Sequence, residues 1–394
     1  MRNEQILRDL MRQFIDQGIP GCSLSISHHG EVVFEHSEGY ADVEAKKEFR
    51  ADTLFRAFSC TKPITVAAAM ILLERGKILL TDPIERYLPC FANMRYYAYN
   101  GAASTQILPC RNSITIRDLM RMTSGIPYGG RNNLSEQDIA CFGSSCPETP
   151  SVSTQEFVRQ IATVPLAFEP GTHWMYGFGI DVLGAIIEVV SGKRFGEFLQ
   201  NEIFAPLGMK DTGFKLREED RPRLAAMYEK GEDGTLTRID GRDFAYAPEY
   251  SFESGGGGLL STIHDMTRFS QMMAMGGELD GNRILSSRTI DLIRMDHLSG
   301  QQRLDYDEVS KRIWPNMLGY SFGLGCRTLV DPATGGSNSS IGEFAWSGAA
   351  GSYALIDPEL QISAEYTHQL WPSDRNMQGY CHPRLRNAIY AALY

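Results

Sequence analysis

At the amino end, apolar positions Ile6, Leu7, Leu10, Met11, Phe14 and Ile15 recur at helical spacing with charges between them, which predicts an amphipathic helix. Residues 22–27 and 31–36 then alternate around His29-Gly30, a hairpin signal. A strong helical pattern follows through Ile64, Val66, Ala67, Met70, Ile71 and Leu73, with Pro63 early in it. Proline fits a first helical turn because the backbone N–H there has no intrahelical partner. Ser59 to Lys62 therefore stands at the start of a helix. From Asp82 to Ser251 the pattern is largely helical, most clearly over 116–122, 154–162 and 180–190. Stretches 96–111 and 125–150 have no clean period and read as surface loops of the kind that wall a binding site. The last third returns to strand patterns at 321–329, 343–346, 352–356 and 361–368, and a final helix is expected over 383–393.

Strands at both ends and helices in the middle predict an α+β fold. An antiparallel sheet assembled from the two ends, flanked by the first and last helices, would carry an inserted helical lobe. The corresponding division is 1–81 with 252–394 for the sheet lobe and 82–251 for the helical one. A chain of 394 residues exceeds the usual single core, so two lobes are expected, with one interrupted domain as the alternative. The site would lie in the cleft between them. The run Gly255-Gly256-Gly257-Gly258 lacks phosphate-loop spacing and a following lysine, so close backbone packing against that site is its expected use.

Hydrophobic residues at 43% and charged residues at 22% describe a soluble globular protein. A net charge of −10 argues against a nucleic-acid partner, which needs a basic footprint. No basic amphipathic stretch suggests membrane attachment, and no apolar run reaches the roughly 18 residues of a membrane span. The first residues lack the uninterrupted apolar stretch of a signal peptide, so a cytoplasmic location is expected. The eight cysteines then read as reduced, buried thiols. Cys141 and Cys146 have no second pair to complete a zinc site, and a disulfide between them stays open. The eight histidines show no paired metal spacing. No metal or cofactor is expected.

Chemistry begins at Ser59-Cys60-Thr61-Lys62. Residues three apart share a helix face, so Ser Oγ and Lys Nζ can meet. A serine hydroxyl needs a base, and lysine serves only when burial or a positive field lowers its pKa. The helix N-terminus supplies such a field and offers N–H groups to an oxyanion. Alone, S-x-x-K is weak: a chain this long should contain about one by chance, and Ser59 could simply cap the helix. Cys60 has no histidine motif to activate it. His173 lies near Tyr176, but no G-x-S-x-G elbow accompanies it for a Ser-His-Asp reading. Tyr128, after Gly125-Ile126-Pro127, is a candidate for the cleft loop. Glu253, before the glycine run, is a candidate for approaching the cleft, against a solvated loop carboxylate.

The order of surrounding segments is more specific. Phe55 to Pro63, with Ser59 and Lys62 inside it, resembles the nucleophile segment of the serine β-lactamase and penicillin-binding-protein superfamily. In the same order, 114–120 through Thr123-Ser124-Gly125-Ile126 resembles that family's cleft-lining helix and loop. Phe168-Glu169-Pro170-Gly171 leads to Tyr176, where the family places its catalytic tyrosine. Residues 255–262 with Asp265 resemble its glycine-rich turn and following helix. Trp346-Ser347-Gly348, then Ala349, stands where the family has its K-T-G or H-T-G strand. The resemblance covers about residues 20–370.

Two departures narrow it. Tyr176-Gly177-Phe178 has no Asn at its third position, and Gly184 follows Tyr176 one residue sooner than in class C β-lactamases. Trp346 replaces the basic residue that attracts a penicillin or peptide carboxylate; an aromatic ring would give an apolar wall instead. Both make the chain look like family VIII carboxylesterases and related acyltransferases. That resemblance implies a small-molecule ester or amide substrate, foremost a short- or medium-chain ester, with Ser59 as nucleophile and Lys62 or Tyr176 as base. By motif position, Ser59 and Ala349 N–H groups would form the oxyanion hole, with Trp346, Ser347, Gly348, Tyr128 and Phe178 around the substrate. A β-lactamase or D-amino-acid peptidase, an acyltransferase, and a non-catalytic binding protein on the same fold are the alternatives.

Overall fold

The computed structural model describes residues 1–99, 105–143, 146–147, 149–241, 243–371 and 377–394. Its centre is an eight-stranded antiparallel sheet. The strands are β1 (Gly21–His28), β2 (Glu31–Asp42), β3 (Lys47–Glu48), β4 (Tyr320–Phe322), β5 (Arg327–Leu329), β6 (Phe344–Ala345), β7 (Tyr353–Asp357) and β8 (Ile362–Thr367). Their spatial order is β4-β5-β6-β7-β8-β1-β2-β3. The two ends of the chain thus meet where β8 pairs with β1, Ser25 opposite Glu365. The hairpin between β1 and β2 turns at His29 and Gly30, both at positive φ, the backbone that a tight two-residue hairpin loop requires.

Both faces of the sheet are covered. Cys22, Leu24 and Ile26 face the terminal helices Glu4–Asp16 and Gln378–Leu393, where Leu7, Met11 and Phe14 pack with Leu385 and Ile389. Full burial of each such side chain contributes about 1.5–3 kcal/mol. Ser23, Ser25 and Ser27 alternate onto the other face and are equally buried. There the helix Ile263–Ala274 lies across the sheet, and its Ser270 bonds Glu365 on β8. A larger core joins that helix to Thr61–Glu74, Gly179–Ser191 and the helical segments between them.

The structure departs from the sequence reading at several elements. Stretch 96–111 is not a plain loop: Arg95–Tyr99 and Thr105–Pro109 pair as an antiparallel hairpin, with 100–104 outside the described residues. Its tyrosines, Ile107 and Leu108 favour strand conformation, but neither face is fully buried, so no alternation marks it. Within 125–150 a short helix, Leu134–Ile139, is capped by Asn133 accepting the Glu136 N–H. The single strand expected over 321–329 is two strands, β4 and β5, folded back through Gly323 to Cys326. The last helix starts at Gln378, so Pro383 sits in its second turn rather than its first. All eight cysteines are free thiols, of which Cys22, Cys60, Cys326 and Cys381 are buried and Cys141 is exposed. Among the described residues no helix is long and apolar enough to cross a membrane.

Candidate active site

Phe55–Arg56 pairs antiparallel with Leu260–Ser261, and Ala57 N–H donates to Leu259 O at 2.9 Å. That pairing lays the glycine run alongside the chain that leads to Ser59. Phe58 then adopts a positive φ of 46°, a costly conformation for a bulky residue, and its ring stacks on Trp371 at 5.2 Å. The sharp turn delivers Ser59, half-buried, into a 3₁₀ turn running straight into the helix Thr61–Glu74. Ser59 therefore occupies the first turn of a helical run, where N–H groups lack intrahelical partners.

Lys62 is completely buried. Its Nζ lies 3.1 Å from Ser59 Oγ, 3.1 Å from Tyr128 Oη and 2.6 Å from Gly256 O. Three contacts suit both charge states. An ammonium donates all three, whereas a neutral amine donates two and accepts the Ser59 hydroxyl proton on its lone pair. Burial pushes the amine down from 10.5 to about 7, against the opposing pull of Asp181. A neutral, basic amine beside the serine is therefore well populated at neutral pH. If that form is the working base, kcat/KM on a neutral ester rises through about pH 7 and levels above it. A pH–rate profile with an uncharged substrate checks this.

Tyr176 reaches the same point from another segment. Met175 N–H donates to Met122 O at 2.9 Å. A Cβ on Gly177 would lie 2.1 Å from Ile126 O, so only glycine lets the tyrosine loop press against the segment carrying Tyr128. That segment is itself held by Asp118, which caps its helix with Thr115 and accepts bonds from Arg121 and Thr123. Tyr176 Oη accepts from Trp346 Nε1 at 2.9 Å, its ring lies 4.6 Å beneath Lys62 Nζ, and a hydrogen bond ties it to Ser59. Burial raises its pKa despite the Ser59 and Trp346 bonds, so it stands as a phenol at neutral pH.

Ser59, Lys62, Tyr176, Tyr128 and Trp346 thus converge. Trp346 is nearly withdrawn from solvent and stacks on Tyr176 at 5.5 Å. It backs the tyrosine and donates to it, beyond the apolar wall expected of it. Phe178 is fully buried behind Tyr128, 4.6 Å from its ring, and supports the site without lining it. Gly348 passes so close to the nucleophile strand that a Cβ would lie 2.4 Å from Ala57 O. Ser347 is buried and Ala349, next along, half-buried.

Other candidates go elsewhere. Glu253 is neither in the cleft nor solvated: it is buried, paired with Arg194 at 2.8 Å, and accepts the Gly196 N–H at 2.8 Å, a carboxylate seated at a helix start. His173 is half-exposed and bonds Asp305 at 2.9 Å. Cys60 is buried, and burial pushes its thiol well up, so it stays protonated and inert. The glycine run packs as expected, with Gly255 and Gly256 set against Ile180 O and the Asp181 carboxylate.

Sequence reasoning missed two residues. Trp314 packs edge-on against Tyr176 at 5.4 Å and Trp346 at 5.9 Å. Asp181 is fully buried in the first turn of Gly179–Ser191. Its one signal was a carboxylate at the start of a mostly apolar helical run, five residues after Tyr176.

Comparison with known proteins identifies what the whole chain is similar to. A family model described as "Beta-lactamase" matches residues 5–379. Protein Rv1367c of Mycobacterium tuberculosis is 32% identical over 370 residues, covering 92% of this chain and 89% of the relative. Esterase EstB of Burkholderia gladioli is 28% identical, covering 95% and 92%. The solved structure of EstCE1, described as a hydrolase with promiscuous acyltransferase activity, superposes with a TM-score of 0.81 at 26% identity, covering 98% of both chains.

Proposed function

The chain belongs to the beta-lactamase family of serine hydrolases, and from that premise we propose that it is a carboxylesterase acting on short- or medium-chain esters. The observation that carries the reading is Lys62 Nζ, buried, 3.1 Å from Ser59 Oγ and held near a pKa of 7. Lys62 takes the Ser59 proton as Oγ attacks the ester carbonyl carbon. Tyr176, a phenol bonded to Ser59, acts beside it and passes a proton to the departing alkoxide. The N–H groups of Ser59 and Ala349 receive the oxyanion; one such donor is worth about 2.7–4 kcal/mol of barrier. The acyl group remains on Ser59. The Lys62 ammonium then returns a proton to the Tyr176 phenolate, and Lys62, neutral again, takes a proton from the water that attacks the acyl carbon and hands it to Ser59 Oγ as the acyl bond breaks.

Substrate preference follows from what surrounds Tyr176. Where a penicillin- or peptide-directed member of the family carries a basic residue, this chain has Trp346, whose N–H is spent on Tyr176. Nothing at that position attracts a carboxylate. Trp314 adds a second apolar ring, and an uncharged acyl group suits such a surface. Expected rates follow: kcat/KM for p-nitrophenyl butyrate exceeds that for the lactam nitrocefin by about a hundredfold or more. Equal rates on the two would overturn the ester reading. Transfer to an alcohol in place of water is the second reading, favoured by the likeness to EstCE1. Adding methanol and measuring methyl butyrate separates the two.

A further inference from the structure

Moving the Ser59 proton to Lys62 turns a neutral amine into an ammonium inside a site with no water-exposed face on that side chain. A buried cation of this kind needs a compensating charge. The titratable groups that face Lys62 are Tyr128, Tyr176, the Cys60 thiol and Asp181. The two phenols and the thiol are all held protonated by burial. Asp181 remains.

Its placement is built rather than incidental. Asp181 Oδ1 accepts from Ser254 Oγ at 2.5 Å and from Gly256 N–H at 3.0 Å. Gly256 in turn gives its carbonyl to Lys62 Nζ. One glycine, through the groups on either side of its Cα, therefore joins carboxylate and amine. Asp181 Oδ2 is buried with no hydrogen-bond partner. A Cβ on Gly256 would lie 2.4 Å from that oxygen and 2.9 Å from Tyr128 Oη. Only glycine leaves the carboxylate oxygen and the lysine-bound phenol open to one another across that gap.

We propose that Asp181 is the counter-charge of the Lys62 ammonium: a positioning residue that acts through Gly256 and faces Tyr128, stabilising the cation that forms as Ser59 attacks. It bonds neither substrate nor Ser59. The step balances within the site. The Ser59 O–H bond breaks, an N–H bond forms on Lys62, Oγ bonds the acyl carbon as the carbonyl π pair moves onto its oxygen, and the Asp181 charge is unchanged throughout. Burial raises the Asp181 carboxyl above the ordinary carboxylate range, and the Lys62 charge, the Ser254 and Gly256 donors on Oδ1 and the first turn of its helix oppose that rise and favour the ionised form.

The inference rests on the serine-hydrolase reading, and its test separates the two. The rate of phosphonylation of Ser59 by a fluorophosphonate, followed by mass spectrometry across about pH 5 to 10, reports the base without any choice of natural substrate. In Asp181→Asn both hydrogen bonds on Oδ1 survive and only the charge is lost. The amine then holds its proton less tightly, so the acid limb moves down by about one pH unit or more. The plateau falls about tenfold or more, because the ammonium formed in the transition state has lost its partner. Asp181→Glu, which keeps the charge, retains more of the plateau than Asp181→Asn. Should Asp181→Asn fail to melt cooperatively, Asp181→Ser and Asp181→Thr are uncharged replacements read by the same criterion. An acid limb that stays in place, or moves up, in a folded uncharged variant overturns the inference. Absence of phosphonylation in the unaltered protein overturns the hydrolase reading itself.

Discussion

Replacing Ser59 by alanine is expected to lower ester hydrolysis by about a million-fold, to the solution background. The size of the effect follows from the lack of a substitute. Cys60 is adjacent, but its thiol is buried and held protonated. Ser347 is buried and its Oγ meets no base. Neither lies on Lys62 as Ser59 does. The change removes one hydroxyl from a half-buried position, and the neighbouring bonds of Lys62 to Gly256 and Tyr128 persist. The fold should therefore survive with a melting temperature close to the parent's. Progress curves on p-nitrophenyl butyrate, with a thermal melt on the same sample, measure both halves. Substantial residual turnover would mean that another group carries the chemistry.

Lys62→Met has the second largest effect, a loss of about 10³-fold in kcat/KM together with loss of the acid limb near pH 7. Methionine fills much the same volume in the same buried slot, so packing is largely kept. What disappears is the amine that lies against Ser59 Oγ. Tyr176 keeps its own contacts with Ser59 and Trp346. As a buried phenol it retains its proton at neutral pH and is a poor acceptor there, so the residual rate should climb only at strongly alkaline pH. The variant also strands the Gly256 carbonyl without its donor, costing about 1–3 kcal/mol of stability. It leaves Asp181 buried without a countercation. Reduced stability with full activity would contradict Lys62 as base and shift that role to Tyr176.

The two predictions differ in how far sequence alone supports them. Ser59, Lys62 and Tyr176 are far apart or locally ambiguous in the chain, yet the order of the surrounding segments was enough to group them. The structure places all three within contact. The terminal helices and the sheet drawn from both ends were legible because each carries one clear period, as Leu7, Met11 and Phe14 do. The strand pair 95–99 and 105–109 was not, since its rings are half-exposed on both faces and show no alternation. β4 and β5 read as one strand because both are buried throughout and the turn between them is equally buried. Asp181 escaped for a different reason. A carboxylate in a mostly apolar helix acquires meaning only from what folds onto it, here Gly256, from a segment about 75 residues later. The second role of Trp346 was hidden likewise, because its identity announces an apolar ring while its indole N–H finds a partner only in three dimensions.

Peptide mapping after fluorophosphonate labelling tests the central claim most directly. The account predicts a single covalent adduct on the peptide containing Ser59, absent from Ser59→Ala and strongly slowed in Lys62→Met. A labelled residue other than Ser59, or a protein that hydrolyses esters while Ser59 stays unmodified, would contradict it.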